Sequence, residues 1–337
     1  MLRYILRRLM LIVPTFFGIT LVVFTITRLV PGGPIERAIA DAQEARGKVM
    51  SVANGGPALS EEQLEQLKAY YGFDKPILVG YFEWLGRVIK LDLGESSRYG
   101  EPVWDAIKER LPVSIYYGVI SVLLTYLVCV PLGILKAIKH GSKTDHVTSF
   151  MVYAGYAVPS YAFALILLVL FASRWELFPL GGFHSDEFSD LDMWGKAKDL
   201  AYHSVLPLVA YMIEGFAVTT FLMKNALLDN LASDFVRTAI AKGLNFRQAV
   251  MKHAFRNSLI PIATHFGNNI SAVLAGSFLI EKIFNINGFG LLGYEAVVER
   301  DYPTVMGILV ISAFLQLLGN LLSDLCVAFV DPRVEFK

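Results

Sequence analysis

Residues able to carry chemistry are sparse in this 337-residue chain, and most of those present stand inside apolar runs. His140, His146, His184, His203, His253 and His265 are scattered, with no pair at metal-ligand spacing and neither H-E-x-x-H nor G-x-S-x-G anywhere. "HGSKT", His140 to Thr144, carries part of a phosphate-loop pattern, but the Gly–Lys adjacency and the earlier glycine are missing. No metal, cofactor or catalytic group is therefore assigned to the chain. Cys129 and Cys326 sit in apolar runs as small hydrophobes, without disulfide or metal spacing.

What remains are polar groups where lipid is expected, and such groups are costly there. Glu214 and Asp324 lie in or near apolar spans. The run "IATHFGNNISAVLAGS" places Thr264, Asn268 and Ser271 at i, i+4 and i+7, one helical face, flanked by His265 and Asn269. This stripe reads as the lining of a water-filled path. Hydrogen bonding between helices, serving only to hold a bundle together, is the alternative. For Glu214 both readings stand equal.

The elements that must position these groups are membrane helices. Hydrophobic residues make up 55% and charged residues 18%, and mean hydropathy is positive at +0.51, the balance of an integral membrane protein. Thirty basic and thirty acidic residues cancel, so no field points to nucleic acid. Six spans are expected: Leu9–Val30, Pro112–Leu135, Ser149–Ala172, Val205–Met223, Leu259–Ile280 and Val305–Val330. A cleaved signal peptide is the alternative for the first, given Arg3, Arg7 and Arg8. Its apolar run is too long for one, and "RLVPGGP" is no small-residue cleavage site.

Basic residues cluster at the N-terminus, after span two (Lys136, Lys139, Lys143) and after span four (Lys224, Arg237, Lys242, Arg247, Lys252, Arg256). The loop between spans three and four is acidic. By the positive-inside rule both termini are expected in the cytoplasm. Residues 31–111 then form a long outer segment. In it "SEEQLEQLKAYYG" is expected as a helix capped by Ser60 and stopped by Gly72, and "ILVGYFEWLGRVI" as an amphipathic helix suited to the interface.

The most polar long run in the second half is "DFVRTAIAKGLNFRQAVMKHAFRN", Asp234 to Asn257. Ser233 or Asp234 can cap a short helix with Phe235, Ala239 and Lys242 on one face, and Gly243 can end it. Asn245 and Gln248 form a capping box for a second helix. Helices this short need something to pack against. An anionic lipid surface or a groove in a cytoplasmic partner would serve, and the tight break at Gly243 favours the partner.

The same segment resembles the EAA loop of inner-membrane permeases of bacterial ABC importers, E-A-A-x-x-x-G continuing to I-x-L-P. Arg237-Thr238-Ala239 stands at the E-A-A place, Gly243 at the glycine, and His253-Ala254-Phe255-Arg256 at I-x-L-P. "RTAIAKGL" and "KHAFRN" are similar to the dipeptide/oligopeptide/nickel branch. So are the opening "LRYILRRLMLIVPTFFGITLVVF", "DLGESSRYGEPVWDAIKERLPVSI", "LIEKIFNINGFGLLGYEAVVERDYP" and the terminal "VDPRVEF". Asn287 replaces the branch's usual proline before Gly-x-Gly. The insertion around "IERAIADAQEARGKVMSVANGG" looks most like the YejB-type subgroup, associated with oligopeptides and the peptide-nucleotide antibiotic microcin C.

The resemblance implies an all-α type I importer permease fold: an N-terminal wrapping span (1–30), a periplasmic segment (31–111), a five-helix core (112–330) containing the cytoplasmic loop 224–258, and a tail (331–337). It implies three partners: a second permease (YejE-like), an ATPase with two nucleotide-binding domains (YejF-like) that binds ATP and Mg, and a periplasmic binding protein (YejA-like). Asp234, Arg237, Thr238, Ala239, Lys242 and Gly243 would couple to the ATPase. Glu281, Phe284, Gly288 and Gly290 would touch the binding protein. An ion-coupled carrier, the rival class, should show paired intramembrane charges or repeated halves, and neither is evident.

Overall fold

The computed structural model describes residues 2–29, 65, 74–274 and 276–330, with the backbone path alone for residues 2–5, 267, 268 and 270–274. The helix expected from Ser60 to Gly72 and the tail 331–337 lie outside the described residues, apart from residue 65.

Among the described residues the chain is helical, and its one β contact is an isolated bridge between Glu95 and Pro102. The helices are α1 (Leu2–Leu29), α2 (Ile77–Val88), α3 (Val103–Ile138), α4 (Lys143–Ala157), α5 (Ser160–Leu167), α6 (Met193–Leu231), α7 (Asp234–Ala241), α8 (Phe246–Ala249), α9 (Phe255–Leu274), α10 (Phe278–Ile283), α11 (Phe289–Val298) and α12 (Tyr302–Val330). Wider π turns follow α5, at Leu168–Arg174, and α8, at Val250–Ala254.

Four of these, α1 from Leu6, α3, α6 and α12, are long and apolar enough to cross a membrane, and a fifth span results if α4 and α5 count as one. The third expected span, Ser149–Ala172, is not one straight helix. Its two halves meet at 98°. Pro159 has no N–H to give and disfavours helical geometry at the residue before it, and Val158 accordingly turns extended at φ −93°, ψ 123°. The fifth expected span, Leu259–Ile280, is also displaced. Helix α9 ends at Leu274, Gly276 takes φ +76°, and Ile280 belongs to α10. This polar helix is not among the four apolar ones.

The chain divides into two compact units. One consists of Arg110–Leu291 with the described parts of Met1–Met10 and Leu315–Lys337; the other of Leu11–Glu109 and Leu292–Phe314. In the second, α2 buries Tyr81, Trp84, Leu85 and Val88, as its apolar pattern requires. The Tyr81 hydroxyl lies 2.9 Å from that of Thr20 in α1. Asp301 there accepts from the Ser96 and Thr304 hydroxyls at 2.5 and 2.7 Å, and Arg98 pairs with Glu295 and Glu299, each at 3.0 Å.

The first unit contains the parts singled out above. Tyr117, Ala164, Leu206, Ala210, Tyr211, Ile280, Phe284 and Ile286 build one of its cores. A second core lies under the basic segment and joins Ala137 of α3, Met223 and Leu227 of α6, Val236 of α7, Ala249, Val250 and Ala254 beyond it, and Ile262 of α9. Gly133 lets α3 and α6 touch beside this core: a Cβ there would lie 2.7 Å from that of Met223 and 2.8 Å from the Thr220 carbonyl.

Candidate functional site

The basic segment folds as two short capped helices. Ser233 occupies the position before α7, though its side chain makes no capping bond. Gly243 takes φ +95°, which a residue with a Cβ adopts only with strain. The turn there is closed by Gly243 N–H to the Ile240 carbonyl at 2.9 Å and Leu244 N–H to the Ala239 carbonyl at 3.3 Å, which satisfies carbonyls the helix end would leave orphaned. Asn245 then caps α8. Its side chain accepts from Gln248 N–H at 2.8 Å, and Gln248 accepts from Asn245 N–H at 3.3 Å.

The inward face of α7 is carried by two residues. Val236 and Ala239 are buried, whereas Phe235, Ile240, Arg237, Thr238 and Lys242 are exposed. Of the three residues that helical spacing groups on one face, Phe235, Ala239 and Lys242, only Ala239 is therefore buried. With Val236 seated in the core, the 100° step per residue turns Phe235 and Arg237 outward. The outward surface is apolar as well as basic: Phe235, Ile240, Phe246 and Met251 are each at least two-fifths exposed, as protein-contact surfaces are. Asp234 and Arg237 make an exposed pair 3.7 Å apart, worth little to stability.

Next to the core under this platform lies a cluster whose two lysines the positive-inside pattern counts as topology charges. Lys224 Nζ donates to both Asp145 oxygens at 2.8 Å. Lys136 Nζ stands 3.1 Å from Asp145 Oδ1 and donates to the Thr148 and Ser149 hydroxyls and the Asp145 carbonyl. All three charged side chains are buried. The signal available was two lysines and an aspartate at helix ends beside long apolar runs, where buried charges must pair.

The groups expected to line a path separate. Asp324, the other carboxylate noted in the apolar spans, accepts from a terminal nitrogen of Arg8 in α1 at 3.1 Å and has its second oxygen 2.7 Å from Arg8 Nε, so it is a helix tie. Glu214 is exposed on α6 and makes no ion pair among the described residues. Thr264 is exposed, and its hydroxyl turns back to the Ile260 carbonyl at 3.2 Å. The side chains of Asn268 and Ser271 lie outside the described residues. Of the flanking pair, Asn269 donates to Tyr126 of α3 at 3.4 Å and lies 3.3 Å from His265, a bond between helices of the kind the alternative reading required.

The residues expected to touch a binding protein come together around one buried carboxylate. Glu281 accepts from the Ser114 hydroxyl at 2.7 Å, Leu291 N–H at 2.6 Å and the Tyr211 hydroxyl at 3.3 Å. Ser114 in turn accepts from Phe289 N–H at 2.8 Å. Burial pushes the Glu281 carboxyl above its ordinary range against the pull of these donors. Gly276, Gly288 and Gly290 leave room for this knot: a Cβ on Gly276 would lie 2.5 Å from Glu281 Oε1, and one on Gly290 would lie 3.0 Å from the Gly276 carbonyl carbon. Glu281, Phe284 and Gly288 are buried, so they shape the loop. Its exposed residues are Lys282, Asn285 and Asn287.

Residues 129–336 match the family model described as the binding-protein-dependent transport system inner membrane component. The chain belongs to this family. This member is 40% identical over 359 residues to the inner membrane ABC transporter permease protein YejB of Escherichia coli O157:H7, covering 99% of both chains. It is 40% identical over 357 residues to the peptidoglycan transport system permease protein YejB of Agrobacterium fabrum, 99% of this chain and 98% of that one. Identity to the dipeptide transport system permease protein DppB of Escherichia coli K12 is 33%, covering all of both. Among solved structures, an inward-facing form of the MetNI methionine ABC transporter matches with TM-score 0.53 at 15% identity, over 67% of this chain and 96% of that one. The family membership and the apolar helices make this a multi-pass inner-membrane protein and a YejB-like permease.

Proposed function

We propose that this chain is the permease subunit through which a peptide-importing ABC transporter passes its cargo, with α7 as the part that receives the ATPase stroke. The observation that carries the reading is the form of α7. A helix of eight residues, ended at Gly243 and seated on its own apolar core through Val236, turns Phe235, Arg237 and Ile240 outward. A helix so short is stable only through packing, so a load on its outer face is passed to α3, α6 and α9 beneath. The peptide assignment follows the relatives, one named for dipeptides and one for peptidoglycan transport. Oligopeptides, with peptide-nucleotide antibiotics such as microcin C among them, are the proposed cargo.

In this reading the chain is non-catalytic. A separate ATPase subunit with two nucleotide-binding domains holds ATP and Mg, a second permease of YejE type completes the path, and a periplasmic binding protein delivers cargo near Lys282, Asn285 and Asn287. The N- and C-termini lie in the cytoplasm. Exposed Glu214 on an apolar helix belongs on a water-filled path or against the second permease, with Thr264, Asn268 and Ser271 as further path candidates.

The test is uptake and ATP hydrolysis by the assembled transporter carrying Arg237→Glu or Gly243→Trp. Both variants should reach the membrane and leave hydrolysis running while uptake of peptides from a radiolabelled protein digest is lost. Wild-type uptake in both would overturn the coupling role.

A further inference from the structure

The Lys136–Asp145–Lys224 cluster has one more cation than its carboxylate needs. Lys136 alone would neutralise Asp145, and both belong to the α3–α4 hairpin, whose turn is further held by Gly141 N–H on Asp145 Oδ2 at 3.2 Å. The titratable groups facing Asp145 are these two lysines and His140, whose exposed ring lies 3.4 Å away. Lys224 comes from α6 and is 8% exposed. Burying a further ammonium costs free energy that an apolar residue would spare, so such groups are better explained by the arrangement they fix than by stability.

The arrangement fixed here is that of α6 against the hairpin. Met223 and Leu227 flank Lys224 along α6, and Ala137 follows Lys136 on α3. All three belong to the core on which Val236 of α7 is seated. One turn before Lys136, at Gly133, α3 lies so close to Met223 and the Thr220 carbonyl of α6 that a Cβ has no room. Beyond the turn, α4 leads to the bend at Pro159. A displacement of α7 therefore reaches α6 and α3 through apolar contacts, which can slide. It reaches α4 through a two-oxygen ionic clasp, which holds one register.

We propose that Lys224 is a positioning residue, clasping Asp145 so that α6 and the α3–α4 hairpin move as one body when α7 is displaced. The inference rests on α7 being the point of ATPase contact.

The experiment measures ATP hydrolysed per labelled peptide delivered, using the complete transporter with its binding protein in proteoliposomes and peptides of a radiolabelled protein digest. Lys224→Met leaves Asp145 paired with Lys136 and opens only the clasp. It should raise the ratio by about 2- to 30-fold, the span of coupling changes that non-contacting residues produce. Lys136→Met keeps the clasp and a side chain against the Phe221 ring, which Lys136 now faces at 5.3 Å, and should stay near the wild-type ratio. Lys224→Arg should restore most of the coupling. A merely structural role predicts that both methionine variants change thermal stability and neither changes the ratio, and that result overturns the proposal. If Lys224→Met does not assemble, Lys224→Gln, which keeps one donor to Asp145, is read by the same criterion. Arg237→Glu separates the two failures: if it too leaves the ratio unchanged, the reading of α7 falls; if it uncouples while Lys224→Met does not, the clasp alone falls.

Discussion

The Glu281 carboxylate and the Ser114 hydroxyl, 167 positions apart in sequence, meet at 2.7 Å with neither exposed to solvent. Ser114 passes the contact on to Phe289 N–H, and Glu281 takes Leu291 N–H, so side chains tie the loop after α10 to the start of α11 and to α3. Glu281→Ala would leave these donors without an acceptor. The expected cost is roughly 2–4 kcal/mol, seen as a lower melting temperature in detergent. The same carboxyl is raised by burial above its ordinary 4.5, so the folded chain holds that proton more tightly than the unfolded one. Its contribution to stability is therefore fullest at acid pH and falls as pH rises from 4.5 through the folded value. Glu281→Gln should flatten that part of the melting-temperature profile.

At Gly243 there is open space around the missing Cβ, so substitutions there act through the backbone alone. Gly243→Val should cost about 1–2 kcal/mol through its φ of +95°. Gly243→Asn, which tolerates this conformation, should cost less. Peptide uptake in cells should fall in that order, and equal uptake by the two would count against a conformational role.

Gly133 presents the opposite case, with allowed backbone geometry and no space. Gly133→Val drives a side chain into Met223 and the Thr220 carbonyl. A destabilisation of about 1–3 kcal/mol is expected from overpacking alone. Melting of the purified variant measures it, with Gly18→Val, which meets nothing within 4 Å, as the control.

Phe235 and Ile240 are 41% and 43% exposed on α7. If they form the docking face, Phe235→Glu with Ile240→Glu should weaken capture of the ATPase by about tenfold or more and leave the permease's own melting unchanged. Unaltered capture would move the contact elsewhere.

Local chemistry wrote part of this protein plainly into its sequence. The apolar runs marked the long helices α1, α3, α6 and α12, because length and hydropathy are properties of a segment by itself. The stop at Gly243 and the Asn245–Gln248 box were equally legible, since each depends on residues within one or two turns. Even the break in the third span had its residue in view, Pro159, though proline is common enough in membrane helices to permit a straight one. That Val158 turns extended before it, and that the halves meet at 98°, the structure supplied.

What tertiary structure alone decided are the relations between distant segments. Lys136 and Lys224 read as loop charges in the sequence, whereas α3, α4 and α6 bring both ammonium groups within 3.1 Å of the Asp145 carboxylate. Glu281 and Phe284 looked available to a partner until the glycines around them allowed the loop to fold them inward. Val236, and not Phe235, is the residue of α7 packed into the core beneath. A charge is buried, paired or offered to a partner according to which helices surround it, and that arrangement is a property of the packed molecule.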